Sequence, residues 1–230
     1  MKSSVLSFQH LGFCCTLIRS SRKTVSLSLE PDGTVLIRGP LRLTGEMARR
    51  AVEDGQQWLL QRKQTIQSAQ ERPLLQSGRI WLLGRTFALY RGSQPSFGES
   101  WLCLSSRIED EKAAVADCCK GLALEEINRR IRHYAPLLGV APSGVSIGRS
   151  NSSWGSCRRD GRLLFSWKAV FLYPEDLDYL VVHELCHLRV FDHSKAFWRM
   201  VSTQIPNYKE RIRHMDEVAS RLTAQGWRPY

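Results

Sequence analysis

Alternating apolar and polar residues near the start of the chain predict β-structure. One apolar stretch, residues 11–18, is interpreted as a strand. Residues 24–29 and 34–38 then alternate on either side of Pro31-Asp32-Gly33. A turn of this composition between two alternating segments is typical of a β-hairpin.

Helical periodicity follows the hairpin. From Met47 to about Ile66 the spacing predicts a helix, and Thr44 is placed to act as its N-cap. Trp58 belongs to this pattern, and we interpret it as core packing rather than as a platform for stacking bases. The polar segment 67–72 and Pro73 predict a boundary, because helices rarely continue through the residue before a proline.

The middle of the chain repeats the order of hairpin and helix. Residues 79–83 and 86–90 are predicted to form a second hairpin, and Trp101–Leu104 adds a strand. A long helix is expected from about Glu111 to Leu138, and Gly139 ends it.

The C-terminal part of the chain predicts two short strands followed by three helices. The strands are Val145–Ile147 and Leu163–Phe165. Pro174 opens the first helix, and the acidic residues after it face the positive end of the helix dipole. Ser194 can cap a second helix that reaches about Gln204, and the last helix spans about 207–222.

Composition narrows the class of protein. The 230 residues are 43% hydrophobic, which is enough for a buried core, and the formal charge of +11 favours anionic partners without choosing among them. Seven cysteines, an odd number, fit reduced thiols in a cytoplasm better than a secreted disulfide framework. Because no apolar run reaches the length of about 18 residues that a span requires, no membrane segment is expected.

The candidate chemistry lies in the segment His183-Glu184-Leu185-Cys186-His187. On a helix the two histidines are four residues apart, so both imidazoles project from one face and can bind one cation. The surrounding residues are apolar, and burying these polar groups without a partner would be costly. Neutral imidazole suits zinc, whose catalytic sites combine three protein ligands with a water, and Glu184 can accept the proton of that water.

Zinc requires a third ligand, and His193 is the favoured candidate just beyond the expected end of the helix. Asp192 tolerates the backbone angles of a tight turn, which would let the chain swing back toward the metal. Three residues of the last helix remain as alternatives: Glu210, His214 and Glu217. Cys157 and Cys186 are interpreted as small buried hydrophobic residues rather than as metal ligands.

Several segments together carry a family resemblance: Trp154-Gly155-Ser156-Cys157, the helix 178–188, His193-Ser194-Lys195-x-Phe197-Trp198 and Pro206-x-Tyr208. They resemble the YgjP-like family of metal-dependent hydrolases, which is related to the zincin metallopeptidases. The N-terminal hairpin, the Trp58 helix and Leu83-Gly84-Arg85 extend the resemblance over most of the chain.

The resemblance implies an α+β fold with a zincin-like metallopeptidase core, in which the active-site helix packs on a small, mainly antiparallel sheet. With the boundary at Pro73, this core occupies residues 74–230, and an N-terminal β-hairpin and helix region occupies residues 1–73. A strand bearing residues 154–157 is expected beside the helix. The resemblance also implies Glu184 as the general base and three zinc ligands: His183, His187 and His193.

Two positions depart from related patterns. Ser153 stands where the family usually has a basic residue, which affects any anion contact there. Val190 stands where metzincin peptidases have glycine, and no clear methionine turn follows, so the chain does not resemble a metzincin.

The resulting hypothesis is a cytoplasmic zinc metallopeptidase that cleaves a peptide or protein substrate with zinc-bound water activated by Glu184. Two alternatives remain open. A metal-dependent nucleotide phosphohydrolase would keep the metal and the base, with basic side chains holding the phosphates. A nucleic-acid-associated protein with a structural zinc would use its charge for weak, non-specific binding. The sequence does not indicate an oligomeric state.

Overall fold

The computed structural model describes four parts of the chain: residues 5–30, 32–71, 73–148 and 153–227. Over these residues the fold is α+β, with three small sheets, six α-helices and one 3-10 helix. The chain separates into two compact units. The first unit comprises residues 1–73 and 220–226, and the second comprises residues 74–219 and 227–230.

The first unit begins with four strands: β1 (Val5–His10), β2 (Phe13–Ser20), β3 (Ser26–Leu29) and β4 (Val35–Pro40). They form one sheet in the order β1-β2-β4-β3, in which only the pair β2 and β4 is parallel. The antiparallel pairing of β3 with β4 confirms the predicted hairpin, although Pro31 of the expected turn lies outside the described residues. Sequence analysis missed β1, whose side chains are largely exposed and follow no strict alternation.

Two helices follow this sheet where the periodicity predicts one. They are α1 (Gly45–Asp54) and α2 (Gln56–Glu71), and Gly55 separates them. A side chain at position 55 would place its Cβ 2.8 Å from Cδ1 of Leu27, so the break occurs at a glycine. The predicted N-cap is confirmed, because the hydroxyl oxygen of Thr44 accepts a hydrogen bond from the backbone N–H of the third helical residue at 3.2 Å.

The core of the first unit lies between its sheet and its helices. Leu59 is fully buried there, whereas Trp58 is 46% exposed, so the interpretation of Trp58 as core packing is wrong. Met47, which lies before the break, is 50% exposed as well, so the predicted apolar face differs from the buried face in both helices. The core residues are Phe13, Cys15, Leu17, Leu29, Val35, Ile37, Leu43, Ala48, Val52, Leu59, Ile66 and Ala224.

The second unit opens with five strands: β5 (Leu75–Gln76), β6 (Arg79–Leu82), β7 (Arg85–Gly92), β8 (Ser96–Phe97) and β9 (Trp101–Ser105). Their order in the sheet is β5-β6-β7-β9-β8. The second predicted hairpin is confirmed as the antiparallel pair β6 and β7, joined through Leu83 and Gly84 with φ angles of 50° and 75°. The strand predicted at residues 101–104 is β9.

A long helix and a small sheet come next. The helix α3 (Glu111–Leu138) has the predicted bounds, and Gly139 ends it in the left-handed conformation. The sheet contains β10 (Gly144–Gly148), β11 (Gly155–Cys157) and β12 (Arg162–Ser166) in the order β10-β12-β11. The expectation of a mainly antiparallel sheet is wrong, because central β12 is antiparallel to β11 and parallel to β10.

The C-terminal helices complete the second unit. A 3-10 helix (Trp167–Phe171) leads into α4 (Pro174–Cys186), which is followed by α5 (Lys195–Gln204) and α6 (Tyr208–Ala224). The helix α4 contacts α3, β11 and α5, so it lies in the centre of the unit. Its start at Pro174 confirms the prediction from the proline and the acidic residues after it.

The cysteines and the hydropathy of the helices complete the description of the fold. All seven cysteines are free thiols. Cys186 is fully buried, and burial raises its pKa to about 11, while Cys157 is half-buried. Within the described residues, none of the helices combines the length and the apolar character needed to cross a membrane.

A buried ion pair joins α6 to the start of α4. Arg211 donates to Oδ1 of Asp176 at 3.3 Å, and the Asp176 side chain has no exposed surface. We expect Arg211→Met to lower the free energy of unfolding by about 3–5 kcal/mol, because it removes the guanidinium that pairs with a buried carboxyl group, whose other basic neighbour, His214, is more distant at 3.6 Å. Urea unfolding followed by fluorescence measures the change.

The matched control for this prediction is Arg213→Met, at an exposed position of the same helix. It should change the free energy of unfolding by no more than about 0.5 kcal/mol. Equal effects of the two substitutions would show that the ion pair does not stabilise the fold.

Candidate metal centre

Three histidine side chains converge where α4 ends. His183 belongs to the last turn of the helix, His187 follows its last residue, and His193 lies in the irregular segment before α5. Nε2 of His183 lies 3.2 Å from Nε2 of His187 and 3.2 Å from Nε2 of His193. Among the described residues, this is the one group of three or more His, Cys, Asp or Glu side chains that can hold a metal ion.

The separation of these nitrogens fits a metal ion. A tetrahedral zinc ion with Zn–N distances of about 2.0–2.1 Å holds its ligand nitrogens about 3.4 Å from one another. The two separations of 3.2 Å are close to that value. The donor set is also appropriate, because three imidazoles leave one position of a catalytic zinc ion open.

Hydrogen bonds at Nδ1 orient two of the imidazoles. Nδ1 of His187 lies 3.0 Å from the carbonyl oxygen of Val190. Since a carbonyl only accepts, this Nδ1 carries the hydrogen and Nε2 presents a lone pair. Nδ1 of His183 lies 3.2 Å from the hydroxyl of Tyr179, which accepts the same kind of hydrogen bond when Nε2 of His183 is a ligand.

The electrostatic surroundings favour neutral imidazoles. Burial and, to a smaller extent, the neighbouring His187 and His193 together lower the pKa of His183 to about 3. Burial also lowers the pKa of His187, although the hydrogen bond to the carbonyl of Val190 opposes this effect. Both side chains therefore keep their lone pairs at neutral pH, as metal ligation requires.

Aromatic rings of α5 support the histidines. Phe197 is fully buried, and its ring stacks on His187 with 4.5 Å between the centroids. Trp198 stacks on His193 with 5.6 Å between the centroids and 28° between the planes. Each ring restricts the imidazole that it covers, so α5 fixes two of the three candidate ligands.

The segment before His193 turns by a different means from the one expected. Asp192 is not among the described residues with positive φ, so the prediction of unusual backbone angles there is wrong. Its carboxylate instead accepts a hydrogen bond from the backbone N–H of Ser194 at 3.2 Å, which stabilises the turn. Hydrogen bonding from the Ser194 side chain, together with this backbone bond, lowers the pKa of Asp192. Ser194 occupies the N-cap position of α5, but its side chain makes no capping hydrogen bond.

Glu184 directly follows His183 in α4, and its side chain packs against β11. Its side chain is 5% exposed, and burial raises its pKa to about 8. A Cβ at Gly155 would lie 2.8 Å from Oε1 of Glu184 and 2.9 Å from its Cγ. Only a glycine lets β11 approach the carboxyl group this closely, and a nearby cation would favour the ionised form of that group.

The alternative third ligands in α6 lie outside the histidine group. His214 contacts Asp176, with 3.6 Å from Nδ1 to Oδ1. Glu210 pairs with Arg211 at 3.0 Å, and Glu217 is exposed. Cys157 and Cys186 are not part of the group either, in agreement with their interpretation as non-ligands.

Sequence analysis did not identify two residues that contact the site. Tyr179 is four residues before His183, and this helical spacing could have indicated a side-chain partner for the imidazole. Gly155 was quoted in the resemblance without a role. Its proximity to Glu184 depends on how β11 packs on α4, which no local pattern reveals.

Two of three comparisons with known proteins found a match. The YgjP-like family, described as a YgjP-like metallopeptidase domain, matches residues 23–218. No curated protein matches the chain. A crystal structure of the metallopeptidase zymogen abylysin of Pyrococcus abyssi is 24% identical, covers 44% of this chain and 96% of its own, and has a TM-score of 0.35. The family match extends over most of the sequence and includes the whole histidine segment, and the chain therefore belongs to the YgjP-like metallopeptidase family.

Proposed function

We infer that the protein is a zinc-dependent peptidase with Glu184 as its general base. The observation that carries this proposal is the convergence of three Nε2 atoms, two pairs of which are 3.2 Å apart, at the end of the helix that carries the buried carboxyl group of Glu184. The zinc ligands would be His183, His187 and His193. Membership of a metallopeptidase family supports peptide or protein as the substrate.

Bound zinc would acidify a water molecule and polarise the carbonyl group of the scissile bond. The carboxylate of Glu184 would accept a proton from the attacking water and transfer it to the nitrogen of the leaving amine. Glu184 suits this task because its side chain is buried, which keeps competing water away from the carboxylate and restricts its motion. Gly155 holds β11 close enough to contribute to that restriction.

Hydrogen bonds around the histidines would keep the ligand set in place. Val190 and Tyr179 each fix the Nδ1 side of one imidazole, so that Nε2 points at the metal position. Partners of this kind commonly change metal affinity or activity by about 10–100-fold when they are removed. The site is therefore supported by backbone and side-chain groups of its own helix and of the segment that follows it.

The substrate class is tested by offering the zinc-loaded protein three candidates. They are an unfolded protein, a mixed peptide library and nucleoside triphosphates. The proposal predicts new peptide termini and no release of phosphate or pyrophosphate. Phosphoanhydride cleavage that depends on Glu184, without peptide cleavage, would replace the peptidase proposal with a nucleotide phosphohydrolase.

The contact between β11 and Glu184 gives a prediction about positioning. Gly155→Ala adds a methyl group that would lie within 3.0 Å of three atoms of Glu184, so the carboxyl group must move. We expect turnover to fall by about 10²-fold, the typical cost of misplacing a catalytic group by about 1 Å. Zinc content, measured by elemental analysis, should stay unchanged because no ligand is altered.

Gly144→Ala is the matched control for this substitution. Gly144 lies in β10 of the same sheet, and an added Cβ there would meet only the Arg162 side chain at an ordinary distance of 3.7 Å. Its turnover should equal that of the parent. Unchanged turnover in Gly155→Ala would argue against Glu184 as a precisely positioned base.

A further inference from the structure

A basic cleft lies between α5 and α6, next to the candidate metal centre. Its volume is about 650 Å³. Its lining includes four cationic residues, two on each helix: Lys195, Arg199, Lys209 and Arg213. We call this feature the basic cleft; every residue that lines it belongs to the second unit.

The positive charges that line the basic cleft are not neutralised by acidic residues of the cleft. All four cationic side chains belong to exposed residues, and none forms an ion pair with another described residue. The acidic residue of the lining, Glu210, is already engaged by Arg211 at 3.0 Å and by the side chain of Asn207 at 3.2 Å. The cleft therefore presents an excess of positive charge to solvent.

The cationic residues of the basic cleft are spaced so that they repel each other within each helix. Lys195 and Arg199 are four residues apart in α5, and Lys209 and Arg213 are four residues apart in α6. Like charges at this spacing repel each other and destabilise a helix. Two such pairs face one cleft, and an anionic occupant would relieve the repulsion within both of them.

Two aromatic residues of the basic cleft connect it with the metal centre. Trp198 and Tyr208 line the cleft and stack with 5.0 Å between the ring centroids and 17° between the planes. The other stacking partner of Trp198 is His193. These two rings, the aromatic floor of the basic cleft, therefore link the cleft to the third candidate ligand through Trp198.

We propose that the basic cleft binds an acidic segment of the peptide or protein substrate, outside the residues that flank the cleaved bond. This rests on the proposed peptidase function. Carboxylates of aspartate or glutamate side chains would pair with the four cations, and the aromatic floor would contact the apolar parts of the bound chain. The site thereby favours unfolded or flexible acidic segments over neutral or basic ones.

Binding is measured on zinc-loaded Glu184→Gln, so that bound peptides are not consumed. The probes are fluorescein-labelled octaglutamate, octaglutamine and the oligonucleotide octathymidylate, followed by fluorescence anisotropy at low salt. Octaglutamate should bind about tenfold more tightly than octaglutamine, and added salt should weaken it, as expected of an electrostatic site. Arg199→Glu with Arg213→Glu should weaken octaglutamate binding by about tenfold or more.

The matched control reverses two exposed arginines of the same unit away from the basic cleft, Arg107→Glu with Arg132→Glu. It makes the same change in net charge and should alter the affinity by less than about twofold. Equal loss in the two double variants would overturn the proposal, because net charge alone would then explain binding. Tighter binding of octathymidylate than of octaglutamate would also overturn it, in favour of a nucleic-acid occupant.

Cleavage assays with the parent protein separate this proposal from the peptidase function. One outcome is that peptides are cleaved, but KM changes neither when acidic residues are added to the substrate nor when Arg199 and Arg213 are replaced by glutamate. The cleft proposal is then wrong, and the peptidase function stands. If octaglutamate binds through the cleft but no peptide is cleaved at full zinc occupancy, the peptidase function is wrong.

Discussion

Glu184→Gln is expected to lower peptide turnover by about 10²- to 10⁴-fold, the usual cost of losing general-base assistance. Glutamine keeps the size of the side chain and much of its hydrogen bonding but cannot accept a proton from water. The ligands are untouched, so zinc content should remain that of the parent. Because Glu184 is buried, bulk water cannot easily replace it as the proton acceptor.

Glu175→Gln is the matched control, at an exposed position on the same helix. Steady-state kinetics and elemental analysis are measured on both variants. Glu175→Gln should match the parent in turnover and zinc content. Parental turnover in Glu184→Gln would exclude Glu184 as the base and direct attention to another proton acceptor.

His193→Ala is expected to lower zinc affinity by about 100-fold or more, because loss of a direct ligand should cost at least as much as loss of its hydrogen-bonding partner. His193 is exposed and lies outside the helices, so its removal should leave the fold intact. Competition with a chromogenic chelator measures the affinity, and circular dichroism monitors the fold. Activity at limiting zinc should fall in parallel.

The comparison variant is His214→Ala, which removes another histidine considered as the third ligand. Its ring contacts Asp176 rather than the histidine group, so zinc affinity should be unchanged. If His214→Ala lost zinc and His193→Ala retained it, the third ligand would lie in α6. The two variants therefore distinguish the ligand sets directly.

Local patterns accounted for the elements that carry the candidate site. The bounds of α3 follow from apolar periodicity and from Gly139, and the start of α4 follows from Pro174 and the acids after it. The positions of His183 and His187 on one helix face require only the helical repeat. Such features depend on residues close together in sequence, and that is why the sequence could predict them.

Features that depend on distant residues could not be predicted in this way. Gly55, at the helix break, lies against Leu27 of β3, and the exposure of Trp58 depends on which face of its helix packs on the core. The contact of Gly155 with Glu184 arises when β11 packs on α4. Asp176 is one of the acidic residues that predicted the start of α4. The sequence did not predict that its side chain is buried against Arg211, which is 35 residues away.

The turn before His193 is a local feature whose mechanism was nevertheless not predicted correctly. The sequence favoured His193 as a third ligand and correctly placed it beyond the end of the helix, but attributed the turn to the backbone angles of Asp192. The turn instead uses the Asp192 carboxylate as an acceptor for the N–H of Ser194. Two mechanisms can produce a similar change of direction, and residue type alone did not distinguish them.

Peptide hydrolysis in ¹⁸O-labelled water tests the central claim most directly. The protein is stripped with a chelator, reloaded with zinc, and incubated with an unfolded protein, and mass spectrometry reads the new C-termini. We predict that each new carboxyl terminus carries one ¹⁸O atom, that no products form in the stripped protein, and that one equivalent of zinc restores cleavage. Absence of new termini at full zinc occupancy, or equal cleavage by the stripped protein, would contradict a zinc-dependent peptidase.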